Sequence, residues 1–221
     1  MRKAPGDLLR FMDQWRGQTV VCAASGPSIT AEQLDFVKGK AKVICINDTY
    51  RLAPWCDVVY ASDARWWDHH IKNVREKATG QLWTMQEKAA AEHFELFHAA
   101  AMRERDLNTE PGWINHGTHG GFQAINLAYQ FGASKIILLG YDCKYVHHAD
   151  CRPDQDGKCR PHDICLRHWF GSHPQGWGDA NHITRWLESY RTIHCDRPII
   201  NCSPDSAVDA FPKMSLAEAF S

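Results

Sequence analysis

The 221-residue chain predicts an α/β fold, a Rossmann-like open and mostly parallel sheet with helices on both faces. Three observations carry that expectation. Short apolar runs alternate with helix-period segments along the whole chain, most of the runs are too short to be independent helices, and polar turn residues follow them repeatedly.

Taken in order, Thr19 to Ala23 reads as the first strand and Ala31 to Val37 as the returning helix. Val43 to Ile46 and Val58 to Ala61 read as strands, and Trp66 to Glu76 as a helix. Leu82 to Met85 gives another strand, and Ala89 to Arg103 the helix after it. In the helix expected from Gly120 to Phe131, Phe122, Ile125, Ala128 and Phe131 fall at helical spacing and Gly132 supplies the stop. Ile136 to Leu139, a helix from Asn181 to His194, and Ile199 to Cys202 complete the alternation. Between them, 143–180 is rich in Pro, Gly, Asp and His without sustained periodicity, and reads as an irregular lid inserted in one domain spanning 1–221.

Composition narrows the function classes. Apolar residues make up 44% and charged residues 23%, enough burial to offset chain entropy. The net charge of −1, with both signs interspersed, lacks the electrostatic footprint of a duplex nucleic-acid binder. Met1 to Trp15 has no apolar signal core, and no run reaches the ~18 apolar residues of a membrane span, so a cytoplasmic protein without a membrane partner is expected. Of the nine cysteines, Cys22, Cys45, Cys56, Cys195 and Cys202 lie in or beside apolar runs and read as reduced core residues. Cys143, Cys151, Cys159 and Cys165 crowd the lid with His147, His148 and His162. Cys143, Cys151, Cys159, His162 and Cys165 are candidate ligands of a structural zinc, with a redox-labile loop or a disulfide as the competing readings.

The strand ends share one feature. Ser25-Gly26-Pro27-Ser28, Asn47-Asp48, Ser62-Asp63, Asp142 and Ser203-Pro204-Asp205-Ser206 each follow a strand candidate directly. In an open parallel sheet these turns converge on one edge, where ligands bind. Ordinary turn chemistry is the competing explanation. The first turn is small and hydroxyl-rich and leads into a helix, which suits a phosphate, although it has neither three spaced glycines nor a phosphate-loop lysine. Trp66, Trp67, His69 and His70 beyond Asp63 are candidates either for stacking on a base or sugar or for core packing.

Gly26-Pro27-Ser28, Cys45-Ile46-Asn47-Asp48 and Asp57-Val58-Val59-Tyr60 leading to Asp63 resemble the first half of the bacterial family 42 sialyltransferases. They are closer still to uncharacterised, often phage-borne relatives with the same Rossmann-like core. Thr118-His119-Gly120-Gly121, the stretch from Gly132 to Asp142, and Cys202-Ser203-Pro204-Asp205-Ser206 with Phe211-Pro212 extend the resemblance in order over residues 19–212.

The resemblance implies a glycosyltransferase using a nucleotide-activated donor of CMP type, and is compatible with a homo-oligomer. It implies that Gly26, Pro27, Ser28, Asn47, Thr118, Gly120 and Asp142 line the donor site, with His119 where the family has a serine. Ser25, Asp48, Asp63, Ser203 and Ser206 join them from the convergence of strand ends. The family's His-aromatic-x-Gly-His run is matched by His168-Trp169-Phe170-Gly171-Ser172-His173, one residue longer, which makes His173 the first candidate for catalytic base and His168 the second. That mechanism requires no metal. Two rivals remain: the chain is similar also to archaeal pterin diphosphokinases, for which Asp48, Asp63 and Asp142 would hold Mg²⁺, and a binder that sequesters a nucleotide without turnover fits the same turns.

Overall fold

The computed structural model describes residues 6–102, 104–144, 168–171 and 183–221. Its elements run β1 (Thr19–Ala23), α1 (Ala31–Val37), β2 (Lys42–Ile46), β3 (Val58–Tyr60), α2 (Ala64–Lys77), β4 (Gln81–Thr84), α3 (Glu87–Glu92) and β5 (Leu96–His98). They continue with β6 (Ala101–Met102), β7 (Ile114–Asn115), α4 (Gly120–Gln130), β8 (Lys135–Leu139), α5 (Ile183–Arg191), β9 (Ile199–Asn201) and α6 (Leu216–Ala219). Single-turn 3-10 helices occupy Asp7–Phe11 and Asn47–Arg51.

The main sheet has seven strands in the order β5-β4-β3-β2-β1-β8-β9, and every neighbouring pair is parallel. The expected Rossmann-like α/β architecture is therefore the one observed. Period-2 alternation explains why the strands are apolar throughout. Val20, Cys22, Ile44, Ile46, Val58 and Tyr60 feed a core beneath α4 and α5, while Val21, Ala23, Val43, Cys45, Val59 and Ala61 feed a second core beneath α1, α2 and α3. Chain direction across the sheet reverses between β1 and β8, the switch point at which a crevice opens outside the carboxyl ends. Register places these ends level: Ala23 lies opposite both Cys45 and Leu139, and Ile46 lies opposite Tyr60.

Local signals set the helix limits. Thr30 and Gln33 form a capping box for α1, and Asp63 caps α2 by accepting from the Arg65 N–H. Gly132 terminates α4 at φ 88°, where a Cβ would be strained. α4 is buried nearly all round, and its polar positions have partners. Asn126 Oδ1 accepts from the amides of Asn108 and Asn115 at 2.9 and 2.8 Å, and Gln130 Nε2 donates to the Asn108 and Glu110 carbonyls at 2.7 and 3.1 Å. These bonds hold the approach to α4 against its flank.

One expected element needs correction, and one open alternative is decided in favour of core packing. The helix expected from Ala89 to Arg103 stops at Glu92, and Leu96–His98 pairs instead with the edge of β4, Leu82 opposite Leu96. An open strand edge supplied the backbone bonds that overrode a helical composition. Trp66 and Trp67 are core residues: both are buried, and their indole N–H groups donate to Asp48 Oδ2 and the Ala61 carbonyl at 3.0 and 3.1 Å. They do not line the crevice described below. The expected lid falls almost wholly outside the described residues, and among those described no helix is long and apolar enough to cross a membrane.

Candidate functional site at the carboxyl edge

The crevice at the switch point is a cavity of about 430 Å³, within the ~300–1,000 Å³ usual for small-molecule sites. The turns after β1, β2, β3 and β8, the start of α4 and one face of α5 enclose it. The convergence expected from sequence is thus present, though not every turn contributes a lining residue.

The β1 turn is locked to its neighbours. Ser25 Oγ donates to the Ile46 carbonyl at 3.1 Å and lies 3.0 Å from Thr49 Oγ1. Gly26 N–H donates to the Gly140 carbonyl at 2.9 Å, and a Cβ on Gly26 would overlap both that carbonyl and the Asp142 carboxylate. Only glycine permits this approach. Ser28 does not line the cavity but donates to Asp142 Oδ2 through its hydroxyl at 2.8 Å and its amide at 3.3 Å. Burial pushes the Asp142 carboxyl above its ordinary pKa, and the Ser28 bonds oppose that shift. Pro27 likewise is not among the lining residues.

Asn47 and Asp63 line the cavity, whereas Asp48 does not. The Asp48 carboxylate accepts from Trp66 Nε1 and lies 3.4 Å from Arg51, so this acid organises the β2 turn from within. The serines after β9 also serve from behind. Ser203 Oγ accepts from the Tyr141 N–H at 2.8 Å, and Ser206 Oγ donates to the Tyr141 carbonyl. Both are buried and outside the lining, which corrects their expected role in contacting a ligand.

At the start of α4, Thr118, His119, Gly120 and Gly121 face the cavity. His119 caps the helix, its Nδ1 accepting from the Phe122 N–H at 3.3 Å. Its Nε2 lies 3.2 Å from Ser189 Oγ, whose own hydroxyl donates to the Trp186 carbonyl at 2.7 Å. The bonding fixes a neutral ring with the proton on Nε2. Burial, reinforced by nearby His116, lowers its pKa to about 3. Both ring nitrogens are thus committed, and His119 shapes the wall without a free nitrogen for a ligand or proton. By contrast, the amides of Gly120 and Gly121 have no acceptor among the described residues, leaving the positive end of an eleven-residue helix open toward the cavity.

Backbone strain concentrates here. Among the described residues six non-glycine positions have positive φ, and three of them, Asn47 (51°), Thr118 (72°) and Cys143 (47°), line this one cavity. Strained backbone held in place by its surroundings is characteristic of functional sites.

His168 is among the lining residues, stacked on Phe170 with centroids 5.0 Å apart. The Trp169 N–H anchors this piece by donating to the Ser25 carbonyl at 3.1 Å. His173 lies outside the described residues, as do Cys151, Cys159, His162 and Cys165. Cys143 lines the cavity, and burial pushes its thiol up to about 12. No group of three His, Cys, Asp or Glu able to hold a metal occurs among the described residues.

Ser62, in one of the convergent turns, is in the lining, whereas sequence reasoning missed Gly121, Gly140, Tyr141, Lys144, Trp186 and Tyr190. Tyr141 and Gly121 adjoin residues already singled out, and the Tyr141 hydroxyl donates to the Gly121 carbonyl at 3.0 Å. Trp186 and Tyr190 carried no local signal beyond one face of an amphipathic helix. In the described lining, Lys144 is the only Lys or Arg, against the carboxylates of Asp63 and Asp142. Comparison with protein-family models, with curated proteins and with solved structures finds no match, so the chemistry of this cavity has to be read from its own residues.

Proposed function

We propose that this chain is a glycosyltransferase that uses a nucleoside-monophosphate-activated sugar, cytidine-based by its sequence resemblance, with a cavity histidine as general base. The observation that carries the reading is the pairing of an open helix terminus with a cation-poor wall. The Gly120 and Gly121 amides offer dipolar stabilisation for an anion, while Lys144 alone supplies full positive charge in the described lining. That inventory suits the single charge of a phosphodiester-linked sugar better than a diphosphate or triphosphate. The Mg²⁺-dependent diphosphate-transfer reading is weaker for a separate reason: Asp48, one of its three required carboxylates, is turned onto Trp66 and Arg51 away from the cavity.

In the proposed step, an acceptor hydroxyl oxygen attacks the anomeric carbon while the bond from that carbon to the phosphate oxygen breaks. The histidine takes the hydroxyl proton and the nucleoside monophosphate leaves with the bond's electron pair. His168, which lines the cavity, is assigned this role, with His173, outside the described residues, as the alternative. The anionic leaving group would be received by the start of α4.

A thermal-shift series with cytidine, CMP, CDP, CTP, ATP and Mg²⁺ tests the reading. At about 100 Kd of CMP the gain of ~2.7 kcal/mol corresponds to roughly 5–11 °C. Stabilisation by CMP without Mg²⁺, and hydrolysis of a CMP-sugar, are expected. Stabilisation by ATP only with Mg²⁺ would replace this reading with diphosphate transfer, and CMP binding without any turnover would reduce it to a binder.

A further inference from the structure

The most strained stretch of the cavity wall is the turn entering α4, and its own residues do not account for its conformation. Gly117 and Thr118 have φ of 50° and 72°. Glycine is at home there, and a Cβ on Gly117 would strike the Phe122 ring. Thr118 is β-branched, and that region is a true outlier for such a side chain. Something outside the turn must hold it.

That support comes from the sheet. Gln123, 1% exposed in the first turns of α4, donates from Nε2 to the His116 carbonyl at 2.6 Å and accepts at Oε1 from the Tyr60 hydroxyl at 2.9 Å. Tyr60 ends β3 and is fully buried, and burial raises its hydroxyl far above the ordinary tyrosine value, so it stays protonated and able to donate. The His116 carbonyl can only accept, which fixes Nε2 toward His116 and hence Oε1 toward the Tyr60 hydroxyl. His116 is thus held at three points. Its amide donates to the Met102 carbonyl at 2.8 Å, its carbonyl accepts from Gln123, and its Nδ1 accepts from the Thr118 N–H at 3.1 Å. A chain of directional bonds thus runs from the carboxyl end of β3 to the strained residue in the cavity wall.

Packing alone does not call for this chain. Two apolar side chains could fill the space between β3 and α4, since replacing both members of a buried hydrogen bond by apolar groups is often nearly neutral in stability. What they would lose is direction. We infer that Tyr60 and Gln123 are positioning residues for anion recognition, holding the Gly117-Thr118 turn so that Thr118 and the Gly120 and Gly121 amides stay arranged around one phosphate. The inference rests on the nucleotide reading above and adds the device that sets its phosphate subsite.

Calorimetric titration of the full chain with CMP and with cytidine isolates the phosphate contribution as the ratio of the two dissociation constants. Tyr60→Phe removes one hydroxyl, and Gln123→Leu removes both bonds at similar volume. The ratio is expected to fall about fivefold in Tyr60→Phe and about tenfold or more in Gln123→Leu, with cytidine affinity kept within about twofold. Amide exchange at residues 116–121 should quicken in both variants while that of β1 and β8 stays as in the parent. Should Gln123→Leu fail to fold, Tyr60→Phe carries the test alone. An unchanged ratio in folded variants, or an equal loss of CMP and cytidine binding, overturns the inference. If the parent chain binds CMP no better than cytidine, the nucleotide reading fails first and takes this inference with it.

Discussion

Gly26→Ala is the sharpest probe of how the carboxyl edge is assembled. The φ of Gly26 is not positive, so the penalty is overlap rather than backbone strain. A methyl group there would press on the Gly140 carbonyl and the Asp142 carboxylate. Gly140 cannot retreat, because its φ of 68° and the Ala24 carbonyl, 2.5 Å from where its own Cβ would stand, already pin it. Asp142 must therefore swing away and surrender both donors from Ser28. Overpacking contributes ~1–3 kcal/mol and the lost charge-assisted bonds ~1.5–3 kcal/mol, for a total of about 2.5–6 kcal/mol. For a domain of this size that corresponds to a melting temperature lower by roughly 5–24 °C. Denaturant and thermal unfolding followed by circular dichroism would read it, with Gly39→Ala as control. Gly39 has φ 75° and open space around its Cβ, so its loss should be near ~1 kcal/mol. A Gly26→Ala variant that melts within about 2 °C of the parent would refute the close approach of the β1 and β8 turns.

Three further outcomes follow from the site. His119 is neutral when folded, with a pKa near 3 against 6.5 when exposed, so the unfolded chain binds more protons between those values. Its contribution to stability is complete above pH 6.5 and is lost as pH falls toward 3, by roughly 3–5 kcal/mol in all. His119→Asn keeps a capping side chain and should flatten the stability slope in that window; an unaltered slope would show that the ring is not buried neutral. Ser203→Ala should destabilise by about 1–3 kcal/mol in urea unfolding through the orphaned Tyr141 amide, while CMP affinity changes little; a large selective loss of affinity would restore Ser203 to the ligand site. His168→Ala should lower CMP-sugar turnover by ~10²–10⁴ with CMP binding retained, and full activity in this variant alongside loss in His173→Ala would move the base to His173.

Much of this was legible in the residues because the relevant physics is local. Runs such as Thr19 to Ala23 and Ile136 to Leu139 are apolar on both faces, which only a sheet covered on both sides requires, and Gly132 marks a helix end by backbone chemistry. The convergence of Ser25, Asn47, Asp63 and Asp142 followed from parallel topology alone. The errors have a common origin in partners distant along the chain. Nothing near Leu96 announces the open edge of β4 that recruits it into the sheet. Ser203 and Ser206 look like ligand residues until Tyr141 is seen to take both hydroxyls. His119 does line the cavity, but no short motif shows that Phe122 and Ser189 occupy its nitrogens. The wall formed by Trp186 and Tyr190 depends on α5 folding back over α4, which no short motif encodes.

A crystal structure of the full chain soaked with CMP would show whether a single phosphate sits where α4 opens into the carboxyl-edge cavity. Phosphate oxygens are expected within hydrogen-bond distance of the Gly120 and Gly121 amides, with the nucleoside between the β1 turn and Trp186. Density for CMP on any other face, or a phosphate turned away from α4 toward solvent, would contradict that placement.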